Sequence, residues 1–221
     1  MTSSADRTDW ADAAETLVDA GRSSVALGLS PGTSGNVSVR IGEHILVSPT
    51  GVSLGELTTE SLSVLDLQGT HLEGNAPSKE FPLHVVMYAI NPGANAVVHL
   101  HSPYAVAASC LAPQDGPSAL PALTPYLVMK VGQVPLVPYA APGSAELAKN
   151  LESTVPKFNA ALLANHGSIM SAASAAAAVD AGVEVEEASR TAVLLHGRPV
   201  STLGVADIRA LTSKYGTPWD V

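Results

Sequence analysis

The chain has 221 residues, 46% hydrophobic and 14% charged, which suits one substantial α/β core and speaks against a disordered polypeptide. Its net charge is −9 and its few Lys and Arg are scattered, so it lacks the basic face a nucleic-acid backbone needs. Cys110 is the only cysteine and forbids an intrachain disulfide, and the polar start MTSSADRTDW has no basic region leading into an apolar run. Together these predict a cytoplasmic protein without a signal peptide.

The spacing of Leu17, Val18, Val25 and Leu27 predicts a helix from about Asp9 to Leu29, weakened at Gly28. A Gly-rich turn, SPGTSGN, then feeds the strand Asn36–Arg40, and Ile41-Gly42-Glu43 links it as a hairpin to His44–Ser48. Pro49-Thr50-Gly51 turns the chain again. Ser63–Leu67 and His71–Glu73 read as short strands. Ser78 to Asn91 reads as a helix with Ser78 as N-cap, Pro82 in its first turn and Pro92-Gly93 as its stop. Asn95–His101 is a strand, Pro103–Leu111 a short helix and Gln114–Pro125 a Pro-rich loop. Val134–Val137 is a strand, Ser144–Glu152 a helix and Ala160–Ala164 an apolar strand ended by Asn165-His166-Gly167. Ser171 to His196 reads as a long Ala-rich helix with its glutamates in solvent. Asp180, Glu184, Glu186 and Glu187 interrupt it too soon for a membrane span. A helix from Val205 to Tyr215 closes the chain. With no repeat or long linker, residues 1–221 read as one domain, a mostly antiparallel sheet flanked by helices.

Alternation sends His99 and His101 to the same face of their strand, as chelation requires. By itself a His-x-His fits two polar residues at a strand end equally well. His166, in a tight turn at the end of another apolar strand, adds a third imidazole. Three such residues with one acid suit zinc or a similar divalent metal. His44, His71 and His196 fit surface positions better. Glu80 follows the Ser78 cap, where a helix start favours an ionised carboxylate, the form both a ligand and a general base need. Spacing does not separate that from an ordinary helix-start glutamate, or decide whether His84, one turn on, is more than a packing or hydrogen-bonding neighbour. Thr33-Ser34-Gly35-Asn36, Ser48-Pro49-Thr50-Gly51 and Ser78-Lys79 are turns whose amide and hydroxyl donors could cradle an anion.

The segments GTSGNVSVR, ILVSPTG, PSKE, AVVHLHS and LLANHG occur in the order and spacing of the class II aldolase/adducin superfamily, which the chain resembles from about Gly21 to its last helix. The resemblance implies an α/β/α sandwich and one Zn2+ per subunit on His99, His101 and His166. Glu80 would be fourth ligand and catalytic acid/base. The family's phosphate-binding turns map onto Thr33, Gly35, Asn36, Thr50, Gly51 and Ser78. Lys79 departs from the aldolases, which carry a second serine there. PSKE, HLHS, TPYLVMKVG and LVPY are similar to the branch of 3-oxo-tetronate 4-phosphate decarboxylases. That branch implies decarboxylation to dihydroxyacetone phosphate and carbon dioxide through a metal-stabilised enediolate; because an extra cation suits a substrate with two anionic ends, Lys79 is expected to hold its carboxylate or phosphate. The resemblance also implies a homotetramer in which Tyr126 reaches a neighbouring subunit's site as proton donor, although a loop aromatic at a subunit contact would read the same. The alternatives are a sugar-phosphate aldolase of the fuculose 1-phosphate type and an adducin-like interaction scaffold.

Overall fold

The computed structural model describes residues 4–111, 116–155 and 157–220, with side chains from residue 9 onward. Gln114, where the Pro-rich loop is expected to begin, and the first three residues of the polar N-terminus lie outside them. The frame is one sheet of eight strands: β1 (Asn36–Ile41), β2 (His44–Val47), β3 (Ser63–Asp66), β4 (His71–Gly74), β5 (Ala96–Leu100), β6 (Leu136–Val137), β7 (Ala160–Leu163) and β8 (Gly167–Ala172). Their order is β4-β3-β2-β1-β5-β8-β7-β6, and every pair is antiparallel except β6 with β7. The expected mostly antiparallel sheet is thus the sheet observed.

Period-two alternation splits the central strands between two cores. Val37 and Val39 of β1, with Ala96, Val98 and Leu100 of β5, pack under α1 (Ser4–Ala26), α3 (Pro103–Ser109) and α6 (Ala175–Leu194). Val97 of β5 and Ile169 of β8 face the other way, under α2 (Phe81–Ile90) and α5 (Ala145–Glu152). Helices therefore cover both faces. At Gly182 a Cβ would come within 2.7 Å of Leu100, so this glycine lets α6 lie close on the sheet. α4 (Pro125–Lys130) and α7 (Val205–Tyr215) pack beside each other at one end.

Several expected boundaries are corrected. Gly167–Ala172 is strand β8, wedged between β5 and β7, and the long helix starts only at Ala175, where the Ser174 hydroxyl accepts the Ala177 N–H. Its glutamates do not all face solvent. Buried Glu186 accepts the N–H groups of Tyr104 and Ala105 at the start of α3, and Glu184 pairs with Lys130 at 3.3 Å. Ser78 does not cap α2. Its N–H instead bonds the Ser48 carbonyl in an edge pairing, which leaves Glu80 at the N-cap position. His101 lies one residue beyond the end of β5, and Pro125–Lys130, expected to follow a loop, is helical. No helix among the described residues is long and apolar enough to cross a membrane.

Candidate metal centre

The ends of β1, β5 and β8 meet beside the start of α2. Asn36 pairs with His99 across β1 and β5, and His99 with Ile169 across β5 and β8. Alternation puts His99 on the face of the sheet that α2 covers, and His101 follows from the strand end, its Nε2 2.9 Å from that of His99. His166 sits in the turn between β7 and β8, where Asn165 takes a left-handed φ of 56°. Gly167 follows because a Cβ there would strike the Leu100 carbonyl. Glu80 reaches in from α2, with Oε1 3.2 Å from His166 Nε2 and Oε2 3.2 Å from His99 Nε2. One donor atom from each of Glu80, His99, His101 and His166 lies within 4.8 Å of the others.

Hydrogen bonding decides which form these donors take. His99 Nδ1 is 2.9 Å from the Ser168 carbonyl, which can only accept, so Nδ1 carries the proton and Nε2 keeps its lone pair. That lone pair faces a carboxylate oxygen and a second imidazole nitrogen, and buried Glu80 Oε1, 3.2 Å from His166 Nε2, has no hydrogen-bond partner. Electron-rich atoms turned on one another in a low-dielectric pocket repel unless a cation lies among them. Three imidazoles and a carboxylate are a donor set that a zinc-like divalent ion takes, and a carbonyl on the outer nitrogen is a common way to orient a ligating imidazole.

The charge states agree. Burial, and after it the neighbouring His99 and His166 rings, pushes His101 down to about 4, so its ring is neutral. Burial alone would raise the Glu80 carboxyl, but the His166 and His99 rings beside it outweigh burial and hold the group well below the usual carboxylate range. The carboxylate stays ionised.

The cluster opens into a cleft of about 220 Å³ lined by Thr33, Gly35, Asn36, Thr50, Gly51, Ser78, Lys79, Glu80 and His101. All seven residues predicted to bind substrate or phosphate are brought together here. Gly35 has a φ of +79°, and a Cβ on it would come within 2.5 Å of Ser30 Oγ and 2.9 Å of the His99 carbonyl, so only glycine lets this turn pass so near β5. Tyr126 is not among the residues lining the cleft. It lies on α4, 56% exposed, with Lys130 Nζ 5.7 Å from its ring centre.

Sequence reasoning missed Ser38 and Tyr88, which with His84 continue the polar contacts of Asn36 into the core. The available signal was Asn-x-Ser on a strand beside Glu-x3-His-x3-Tyr at the helical repeat. Of the remaining histidines, His71 and His196 are exposed, while His44 is half-buried with its ring centre 5.3 Å from that of Trp10.

Residues 15–193 match the family described as Class II Aldolase and Adducin N-terminal domain. The chain is 41% identical over 201 residues to the 3-oxo-tetronate 4-phosphate decarboxylase of Haemophilus influenzae, covering 90% of this chain and 96% of that protein. It is 34% identical to the L-fuculose phosphate aldolase of Escherichia coli, over 92% of this chain and 94% of the aldolase. The crystal structure of YgbL from Klebsiella pneumoniae superimposes with a TM-score of 0.86 at 39% identity, covering 91% and 98% of the two chains.

Proposed function

Because the chain belongs to the class II aldolase and adducin family, we propose that it is a metal-dependent carbon–carbon lyase that decarboxylates a 3-oxo-tetronate 4-phosphate to dihydroxyacetone phosphate and carbon dioxide. The observation that carries this reading is the opening of one four-donor cluster into a cleft whose other wall is made of anion-suited turns and Lys79. His99, His101, His166 and Glu80 would hold one Zn2+ per subunit, which when bound supplies Lewis acidity toward the oxygens of a 2-hydroxy-3-oxo group.

The protein's own residues supply the rest. Thr33, Gly35, Asn36, Thr50, Gly51 and Ser78 would surround the phosphate, with Gly-rich turns presenting backbone N–H groups. Lys79, exposed at the cleft, would hold the carboxylate or the phosphate, since a substrate with two anionic ends gains from an extra cation. Breaking C1–C2 releases carbon dioxide, and the bonding pair passes toward the C3 oxygen. Glu80 would turn toward the substrate and move a proton at the C2 hydroxyl or onto C2. In a cytoplasmic homotetramer, Tyr126 would be a further proton donor, reaching a neighbouring subunit's cleft from its exposed position on α4.

A second reading, aldol cleavage of a sugar phosphate, is favoured by the likeness to the L-fuculose phosphate aldolase. Both reactions leave an electron pair beside a carbonyl, so the fold alone does not choose. The test is to give the zinc-loaded protein phosphorylated 3-oxo-tetronates of both configurations, and fuculose 1-phosphate, with and without chelator. Chelator-sensitive carbon dioxide release is expected. Aldehyde release with no decarboxylation would replace the first reading by the second. Absence of stoichiometric metal, with tolerance of His99 loss, would point to an adducin-like scaffold.

A further inference from the structure

Building on the reading of Glu80 as a metal-side carboxylate, we propose that Asn36, His84, Ser38 and Tyr88 form a hydrogen-bonded ladder that sets the orientation of Glu80, with His84 as a positioning residue acting through Asn36. The ladder follows from two periodicities laid side by side. On β1, residues two apart share a face, so Asn36 and Ser38 both point toward α2 while Val37 and Val39 enter the opposite core. On α2 and its cap, Glu80, His84 and Tyr88 are spaced by four and form one stripe. The contacts alternate between strand and helix. Asn36 Nδ2 is 3.1 Å from Glu80 Oε2, and Asn36 Oδ1 is 2.5 Å from His84 Nε2. His84 Nδ1 is 2.7 Å from Ser38 Oγ, which is 2.9 Å from the Tyr88 hydroxyl.

Each bond fixes the direction of the next. An ionised Glu80 only accepts, so Asn36 must present its NH2 to it and its carbonyl oxygen to His84. His84 must then donate from Nε2 and accept at Nδ1 from Ser38. Ser38 has given its only proton, so it accepts from Tyr88. Every proton points toward Glu80. Reversing the amide would set an oxygen against a carboxylate in a site where Asn36, Ser38 and His84 are almost completely buried and water cannot repair the mismatch. Burial, and after it the neighbouring His99, pushes His84 down to about 3, which keeps it in the neutral form the ladder requires.

The test measures zinc affinity by competition with a chromophoric chelator, together with the visible spectrum of the Co2+ form. The proteins are wild type, Asn36→Ala, His84→Leu and the double variant. Each single change should weaken zinc binding by about 10–100-fold and shift the Co2+ bands. The double variant should match Asn36→Ala within about twofold, because His84 acts only through Asn36. His84→Gln, which can still present an N–H to Asn36, should recover part of the loss, and Tyr88→Phe should lose least. Ser38→Ala, a deletion of one oxygen, gives the same comparison if His84→Leu does not fold. Additive losses, or variants that melt earlier while binding zinc as wild type does, would overturn the ladder's role. A wild-type protein that binds no zinc would remove the reading of Glu80 itself, and is distinguished by appearing before any substitution.

Discussion

The two walls of the cleft are built on opposite plans. On the imidazole wall, His99 is fully buried and its Nδ1 is held by a strand carbonyl, while the His166 N–H lies against Leu163 O and Ser109 Oγ. Glu80 is held by Asn36. On the turn-built wall, Thr33, Thr50, Gly51 and Lys79 are exposed, and among the described residues Lys79 has no ion-pair partner. The first wall is preorganised by the sheet, so its donors meet a cation with little further ordering. The second offers a flexible cation and exposed turn residues, and the Lys79 side chain must lose rotamer freedom to hold a ligand. Preorganised groups carry chemistry most efficiently, because their ordering is complete before reaction.

Substitution at the buried wall should cost the most activity. Glu80→Gln preserves shape but removes the charge and the proton acceptor, so kcat should fall about 10²- to 10⁴-fold while the circular dichroism spectrum stays that of wild type. A loss of less than tenfold would mean that the buried wall does not do the proton transfer. At the exposed wall, Lys79→Ser removes one flexible charged donor. A hydrogen bond to a charged group is worth about 1.5–3 kcal/mol, so kcat/KM for the 3-oxo acid phosphate should fall roughly 10- to 100-fold. Any aldol cleavage of a substrate with a single anionic end should fall less. Equal losses in the two reactions would strip Lys79 of its role with the second anion.

Legibility in the sequence divides along a similar line. The residues of the cluster could be read because each carries a local mark: His-x-His in strand phase, and a histidine between Asn and Gly at a strand end. The turns that line the cleft were visible through their Gly and hydroxyl residues. Strand β8 was hidden because Gly-Ser-Ile-Met-Ser-Ala runs straight into alanines that continue as helix. Only its pairing with β5 and β7 makes it a strand. The destination of Glu186 was hidden for a related reason. An Ala-rich helix has no sharp polar face, so charged residues read as solvated, yet here α3 docks on that side and its free N–H groups take the carboxylate. The ladder needed a strand stripe and a helix stripe to be laid together, which is a fact of tertiary structure. The role proposed for Tyr126 would need a neighbouring subunit, and no local pattern in the sequence encodes such a contact.

The buried side also answers to pH, though weakly. The buried side holds His84 at about 3 and His101 at about 4, both below the ordinary imidazole value of 6.5, with burial as the leading cause. Between 6.5 and those values the unfolded chain takes up protons that the folded chain refuses. Stability is therefore level above about pH 6.5 and declines as the pH falls below it, by at most about 1.4 kcal/mol per pH unit for His84. The lowered Glu80 carboxyl acts in the same direction, but its contribution starts to fade only below its ordinary value of 4.5. The two effects are thus separable in pH. Denaturant unfolding of the chelator-treated protein between pH 7.5 and 5, a range that also avoids protons linked to metal release, isolates the histidines. His84→Gln should reduce the slope of stability against pH below 6.5 by up to one proton, whereas Lys79→Ser should leave it as in wild type. An unchanged slope in His84→Gln would mean that the buried wall tolerates a charged imidazole, and its preorganisation would then have to come from the strand ends alone.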